Sequence, residues 1–108
     1  MRKVLKGIAA SLGKAEGKVR IVRTTSEALL TQEDEIIVVE TGNPTLSIAL
    51  VHSSGAICEK GGPLSHFAII CRESQKPCLM GVTNATKILK TGQKILLDSK
   101  KGIVQYDE

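Results

Sequence analysis

The middle of the chain carries four consecutive β-branched residues, Ile36, Ile37, Val38 and Val39. Such a run is typical of a strand that is buried on both faces of its sheet, because its alternating side chains leave no polar face for water. Strands of this kind occur mainly in parallel sheets that are covered by helices. The run therefore predicts an α/β fold with a central, mostly parallel sheet.

The segments around this run have the patterns of short strands and helices separated by turns. They predict further strands at residues 4–10, 18–22, 56–58, 78–81, 94–98 and 103–106, helices at residues 27–30, 46–51 and from about 64 to 74, and one helical turn within 83–89. Turns at residues 13–17 and 99–102 give terminal β-hairpins. Thr25 or Ser26 is expected to cap the first helix, and Pro44 or the residue after it to open the second.

The length of the chain predicts one domain, residues 1–108. Its core is expected to be aliphatic, because the only aromatic residues are Phe67 and Tyr106. The net charge of +4 is spread along the chain without a Lys/Arg block, so we expect no nucleic-acid partner. No segment reaches the length of a signal peptide or a membrane span, and we expect a cytoplasmic protein without a membrane partner.

Residues 61–73 read Gly-Gly-Pro-Leu-Ser-His-Phe-Ala-Ile-Ile-Cys-Arg-Glu. This order predicts a loop that turns into a helix, with His66 in the first turn, and Pro77 is expected to limit the helix at its other end. Because a strand precedes the loop, His66 is expected near the carboxyl end of that strand, where open α/β folds bind their ligands. The first turn of a helix stabilises anions through its free N–H groups and the helix dipole.

A histidine in this position is suited to carry a phosphoryl group. A neutral imidazole nitrogen attacks the phosphorus atom, and the labile phosphohistidine then passes the group to a second acceptor. The phosphate needs hydrogen-bond donors close by. We expect them from the backbone of residues 65–68 and the Ser65 hydroxyl, with close approach allowed by the two glycines; the predicted phosphate-binding residues are Gly61, Gly62, Ser65, Phe67 and Ala68.

Three other interpretations of these residues are open. His66 is alternatively a histidine near a helix cap or in the core, satisfied by a neighbouring carbonyl group. A metal site built from histidine and cysteine is disfavoured because the spacings match no common ligand pattern, and a Cys-His nucleophile is disfavoured because the cysteines fall in predicted buried positions. We expect no metal, and a structural role for His52 at the end of a helix.

Residues 61–73, with Pro77 and Gly81, resemble the signature of the mobile, swivelling phosphohistidine domain of phosphoenolpyruvate-utilising enzymes. That family includes phosphoenolpyruvate synthase, pyruvate phosphate dikinase and the first enzyme of the sugar phosphotransferase system. The resemblance covers nearly the whole chain, since it continues at Gly7, Ala9, Ala10, Ser11, Gly17, Ala85, Thr86, Gly92, Asp98 and residues 102–104. It implies the swivelling β/β/α fold with a helix that starts at the histidine.

The resemblance also implies that His66 relays a phosphoryl group between an ATP-binding domain and a domain that binds phosphoenolpyruvate or pyruvate. These would be the partners, with ATP and Mg²⁺ on the partner domain and no cofactor bound by this domain alone. The hydroxyl that orients the imidazole is expected from Thr41, Thr45 or Ser47, and the sequence does not choose among them. Arg72 either reaches the phosphate or holds Glu73 or a partner domain.

Two departures from the family pattern lie beside the histidine. Relatives often have arginine and threonine where this chain has Pro63 and Leu64, so a cation and a hydroxyl are missing there. The alternative function is therefore a non-catalytic anion-binding or regulatory module that keeps the swivelling fold. In either case we expect no complete reaction from this domain alone, which is an excised central domain or a stand-alone carrier.

Overall fold

A computed structural model describes residues 3–43, 46–62 and 64–107, in which short strands alternate with short helices. The strands are β1 (Lys3–Lys6), β2 (Ile8–Ser11), β3 (Lys14–Ile21), β4 (Glu35–Thr41), β5 (Gly55–Lys60), β6 (Cys78–Met80), β7 (Lys94–Asp98) and β8 (Ile103–Tyr106). The helices are α1 (Thr25–Leu29), α2 (Ile48–His52), α3 (His66–Glu73) and α4 (Ala85–Ile88). The predicted α/β fold is confirmed.

The strands form one sheet in the order β1-β8-β7-β3-β4-β5-β6-β2, in which β3, β4, β5 and β6 are parallel neighbours. The predicted central strand β4 has no exposed side chain from Ile36 to Val39. Ile37 and Val39 pack into one hydrophobic cluster, and Ile36 and Val38 pack into another on the opposite face. The β-branched run is therefore buried on both faces, as its sequence predicts.

Helices α1, α2 and α3 contribute Ala28, Leu50 and Phe67 to the first cluster. On the other face, α4 contributes Ala85 to the second cluster, which also takes side chains from β7 and β8. Most buried side chains are aliphatic, and Phe67 and Tyr106 add the two aromatic rings. The core is thus divided by the sheet, and the three crossover helices all lie on one side of it.

The two ends of the chain take different places in the sheet. The C-terminal hairpin is confirmed, because β7 and β8 pair antiparallel. At the N-terminus, β1 pairs with β8 and β2 pairs with β6, at opposite edges of the sheet. The hairpin expected around residues 13–17 is therefore wrong, because β2 pairs with a distant strand instead of with β3. Only Gly7 separates β1 from β2, and a Cβ atom there would lie 2.6 Å from Cγ2 of Val82.

Gly17, expected in a turn, lies inside β3. A Cβ atom on this residue would lie 2.2 Å from the carbonyl oxygen of Asp34. The glycine allows a close backbone approach, and the adjacent N–H of Lys18 donates to that same oxygen at 3.1 Å.

The cap of α1 is Thr24, one or two residues before the predicted Thr25 or Ser26. Thr24 has an extended backbone, its hydroxyl accepts from the Glu27 N–H at 3.2 Å, and the Glu27 carboxylate accepts from the Thr24 N–H at 3.1 Å. This reciprocal pair is a capping box, which satisfies two backbone donors together.

Helix α2 begins at Ile48, and the predicted start at Pro44 lies outside the described residues. Its last carbonyls accept hydrogen bonds from the Lys76 ammonium, which contacts Leu50 and lies 3.1 Å from the Val51 oxygen and 2.7 Å from the Ser53 oxygen. A cation at this end also interacts favourably with the helix dipole. Lys76 therefore fixes α2 to the segment that follows α3.

Candidate functional site around His66

His66 is the first residue of α3, directly after the glycine loop that leaves β5, and its side chain is exposed. The helix begins here because Ser65 has an extended backbone and its hydroxyl accepts from the Ala68 N–H at 3.3 Å. Gly61 has φ +109°, a conformation that favours glycine. The predicted helix start at the histidine is thus confirmed, at the carboxyl end of a parallel strand.

The backbone N–H groups of this first turn differ in whether they have a hydrogen-bond acceptor. The Ser65 N–H donates to the Gly62 carbonyl at 3.0 Å, and the Ala68 N–H is satisfied by the Ser65 hydroxyl. Within the described residues, the N–H groups of His66 and Phe67 have no hydrogen-bond partner. Of the four donors expected from the sequence, these two have no protein partner; both lie at the positive end of the helix dipole, where His66 is exposed and Phe67 is buried.

The loop after β4 lies against the same first turn. A Cβ atom on Gly42 would lie 2.5 Å from Cβ of Phe67, so the loop backbone touches the residue next to His66. Thr41 precedes this glycine at the end of β4, where it pairs with Lys60 of β5, and its side chain is exposed. The local sequence does not predict this contact, because Gly42 and Phe67 lie 25 residues apart in the chain.

For the other two hydroxyl candidates, Thr45 and Ser47, the described residues show no such contact with the start of α3. Ser47 is the half-buried residue before α2, and Thr45 lies outside the described residues. Thr41 is thus the candidate whose immediate neighbour contacts α3. The choice of the hydroxyl that orients the imidazole stays a prediction.

Comparison with known protein families identifies the family to which this chain belongs. A family model described as the mobile domain of PEP-utilising enzymes matches residues 31–102. The chain belongs to this family. A probable phosphoenolpyruvate synthase of Methanothermobacter thermautotrophicus is 38% identical over 101 residues, which cover 94% of this chain and 15% of that protein. The chain thus spans a small part of the length of the curated relatives it matches.

Two solved structures share the fold of this mobile domain. The holo form of Thermococcus kodakaraensis aconitase X contains a chain with a TM-score of 0.73 and 22% identity, covering 98% of this chain and 99% of that one. An NMR structure of Enzyme I has a TM-score of 0.64 and 24% identity, covering 74% and 33% of the two chains. Both likenesses concern the fold alone.

Arg72 lies at the opposite end of α3 from His66. Its Nη1 donates to the carbonyl oxygen of Ala10 in β2 at 2.8 Å, and the Ser11 hydroxyl donates to the Cys71 carbonyl at 3.5 Å. Six residues along a helix correspond to about 9 Å. This placement favours a role in fastening α3 to β2, and contact with a phosphate at His66 stays a prediction.

Helix α3 ends before Pro77 because Gln75 turns the chain. Gln75 has φ 57°, its N–H donates to the Arg72 carbonyl at 3.1 Å, and the Lys76 N–H donates to the Cys71 carbonyl at 3.0 Å. These two bonds form a Schellman motif, which satisfies the last carbonyls of a helix. The motif fixes the length of the helix whose first residue is His66.

The three cysteines are buried free thiols. Burial raises the pKa of the Cys58 thiol from 9.0 to about 11. A hydrogen bond between the Cys71 and Cys78 side chains lowers the pKa of Cys71 and raises that of Cys78. Among residues 3–43, 46–62 and 64–107, no three His, Cys, Asp or Glu side chains come together as metal ligands. In that part of the chain no helix is long and apolar enough to span a membrane.

Proposed function

We propose that this mobile domain is a phosphoryl carrier in which His66 is transiently phosphorylated. The observation that carries the proposal is the exposed imidazole at the first position of α3, beside the backbone N–H groups of His66 and Phe67. Membership in the mobile-domain family supports the same role. Gly62 adds room for the phosphate, since nothing lies within 4 Å of a Cβ atom built there.

In the forward step an imidazole nitrogen of His66 forms a bond to phosphorus while the bond between phosphorus and the donor oxygen breaks. The donor leaves with that oxygen, and the phosphate on the histidine is held by backbone N–H groups and the helix dipole. In the second step an acceptor oxygen displaces the imidazole. We infer that the donor and acceptor sites are an ATP-binding domain, with ATP and Mg²⁺, and a domain that binds phosphoenolpyruvate or pyruvate.

The test uses a full-length phosphoenolpyruvate synthase whose own carrier histidine is replaced by alanine. This enzyme and the mobile domain are incubated with phosphoenolpyruvate or ATP and Mg²⁺, and the domain is examined by mass spectrometry and ³¹P NMR. We expect one added phosphate that is lost in acid. His66→Ala should abolish it, and His52→Ala should retain it because His52 is the other histidine of the chain and lies in the last turn of α2.

The alternative is an anion-binding or regulatory module without transfer. It is favoured by Leu64, whose side chain is 87% exposed two residues before His66 and offers no hydroxyl to a phosphate. Absence of phosphate on His66 with several such partner enzymes, while the domain stays folded, would support this module and overturn the carrier.

A further inference from the structure

Three sulfur atoms lie close together in the core between α3 and β6. Cys71 is a buried residue of α3, while Cys78 and Met80 lie two residues apart on β6, and all three belong to the same hydrophobic cluster. The Cys71 and Cys78 side chains share a hydrogen bond, and the Cys78 thiol donates to Sδ of Met80 at 3.6 Å. We call these three side chains the sulfur cluster.

The spacing within the sulfur cluster suits a metal ion. Thiolate sulfur binds zinc at about 2.3 Å, and at bonds of this length two ligands of a trigonal site lie about 4 Å apart. The 3.6 Å between the Cys78 and Met80 sulfur atoms is close to that separation. A methionine side chain is flexible, so a small movement of Met80 opens the remaining distance.

The surroundings of the sulfur cluster favour a soft cation. Its three side chains are completely buried, and the other members of the hydrophobic cluster are apolar. Thiolate and thioether ligands select Cu(I), whereas Mg²⁺ and Ca²⁺ require oxygen ligands. The spacing of histidines and cysteines in the sequence did not predict this site, because its third ligand is a methionine.

The charges near Cys71 favour the thiolate form that a metal requires. The hydrogen bond with Cys78 lowers the pKa of Cys71, and the positive charges of Arg72 and Lys76 lower it further against the opposing effect of burial. Both cationic side chains are held by backbone carbonyl oxygens. One Cu⁺ replaces two thiol protons, which pass to the solvent, and the two cations offset the single negative charge that remains.

We propose that Cys71, Cys78 and Met80 form a buried binding site for one Cu(I) ion, with two thiolates and one thioether as ligands. This site goes beyond the proposed function and requires no phosphoryl transfer. Because the sulfur cluster is buried, the ion enters as the chain folds or when α3 opens locally. Met80 also brings the site close to the glycine loop, since its Cε lies 3.2 Å from a Cβ atom built on Gly61.

The test loads the full chain with Cu(I) under anaerobic, reducing conditions, both in the native state and during refolding from urea. Competition with bicinchoninate measures the affinity, and we expect one bound ion per chain. X-ray absorption should show three sulfur ligands at about 2.3 Å. In the ¹⁵N-labelled protein, the amide signal of Gly61 should shift together with those of the sulfur cluster.

Variants of the three ligands assign the site. Cys71→Ala and Cys78→Ala should each weaken binding by more than about 100-fold, which exceeds the loss that follows replacement of an outer-shell group. Met80→Leu keeps the side chain apolar and of similar size, and it should leave two sulfur ligands in the absorption spectrum. Cys58→Ala is the matched control and should bind as the parent does, because Cys58 is also a buried thiol but donates to the Lys60 carbonyl at 2.8 Å.

Equal affinity of the parent, Cys71→Ala and Cys78→Ala would overturn the site, as would a refolded parent that retains no ion. Nitrogen ligands together with loss of binding in His66→Ala would place the ion on that exposed histidine and contradict the sulfur site. Circular dichroism checks that each variant is folded. If a cysteine variant does not fold, Met80→Leu decides, because three sulfur ligands in its spectrum would contradict the assignment.

Discussion

Gly42 and Phe67 are in such close contact that a Cβ atom on the glycine would lie 2.5 Å from Cβ of the phenylalanine. Phe67 is 1% exposed and directly follows His66, so this contact joins the loop after β4 to the start of α3. The β4 loop and the histidine are thereby held as one surface. The position of His66 relative to Thr41 therefore depends on Gly42, which can approach Phe67 this closely because it has no side chain.

We expect Gly42→Ala to destabilise the domain by about 1–3 kcal/mol, because overpacking displaces well-packed neighbours. Gly62→Ala is the matched control, since a Cβ atom there meets nothing within 4 Å, and its free energy of unfolding should change little. Urea unfolding measures both values. Equal stability of the two variants would show that the Gly42 loop moves freely away from Phe67.

Replacement of the α3 cap should affect both stability and phosphorylation. Ser65→Ala removes the hydroxyl that accepts from the Ala68 N–H, and loss of such a cap costs about 1 kcal/mol. We also expect slower phosphorylation of His66, because the fraying first turn holds its free N–H groups less firmly. Rates are measured with the full-length partner enzyme described above.

Thr24→Ala is the control for that experiment, because it removes the cap of α1 and leaves α3 intact. Its stability loss should be of similar size, about 1 kcal/mol. Its phosphorylation rate should equal that of the parent at a temperature where both proteins are fully folded. A similar drop in rate for both variants would assign the effect to stability rather than to the site.

Local patterns in the sequence predicted the elements that position the site. The β-branched run at residues 36–39 predicted the central strand, and the order of glycine pair, Ser65 and apolar run predicted where α3 begins. These features depend on neighbouring residues, whose propensities act within one strand or one helical turn. The predicted role of His66 as a phosphoryl carrier stays a prediction.

Contacts between distant segments were not predictable in the same way. Gly7, Gly17 and Gly42 each meet a part of the chain far away in sequence, so their pattern resembles that of ordinary turn glycines. The pairing of β1 with β8 and of β2 with β6 likewise depends on closure of the sheet rather than on local propensity.

Substitution of Arg72 distinguishes an anchoring role from a phosphate contact. Arg72→Gln removes the charged donor to the Ala10 carbonyl, and we expect a loss of about 1–2 kcal/mol in the free energy of unfolding. The phosphorylation rate of the folded protein should stay within about twofold of the parent, since charge-assisted contact to the phosphate would be worth tenfold or more. A large drop in rate with unchanged stability would place Arg72 in the phosphate site.

The buried thiol of Cys58 should make stability depend on pH in the alkaline range. Burial raises the pKa of Cys58 from 9.0 to about 11, so between these values the folded protein retains a proton that the unfolded chain releases. Its contribution to the free energy of unfolding is complete below pH 9 and is lost as the pH rises towards 11. We expect a loss of about 1 kcal/mol from this group, after allowance for solvent screening. Urea unfolding at pH 8, 9, 10 and 11 measures it. Cys58→Ala should show a shallower decline, with the remainder due to Cys78, whose pKa is also raised. Parallel declines in both proteins would contradict an effect of burial on this thiol.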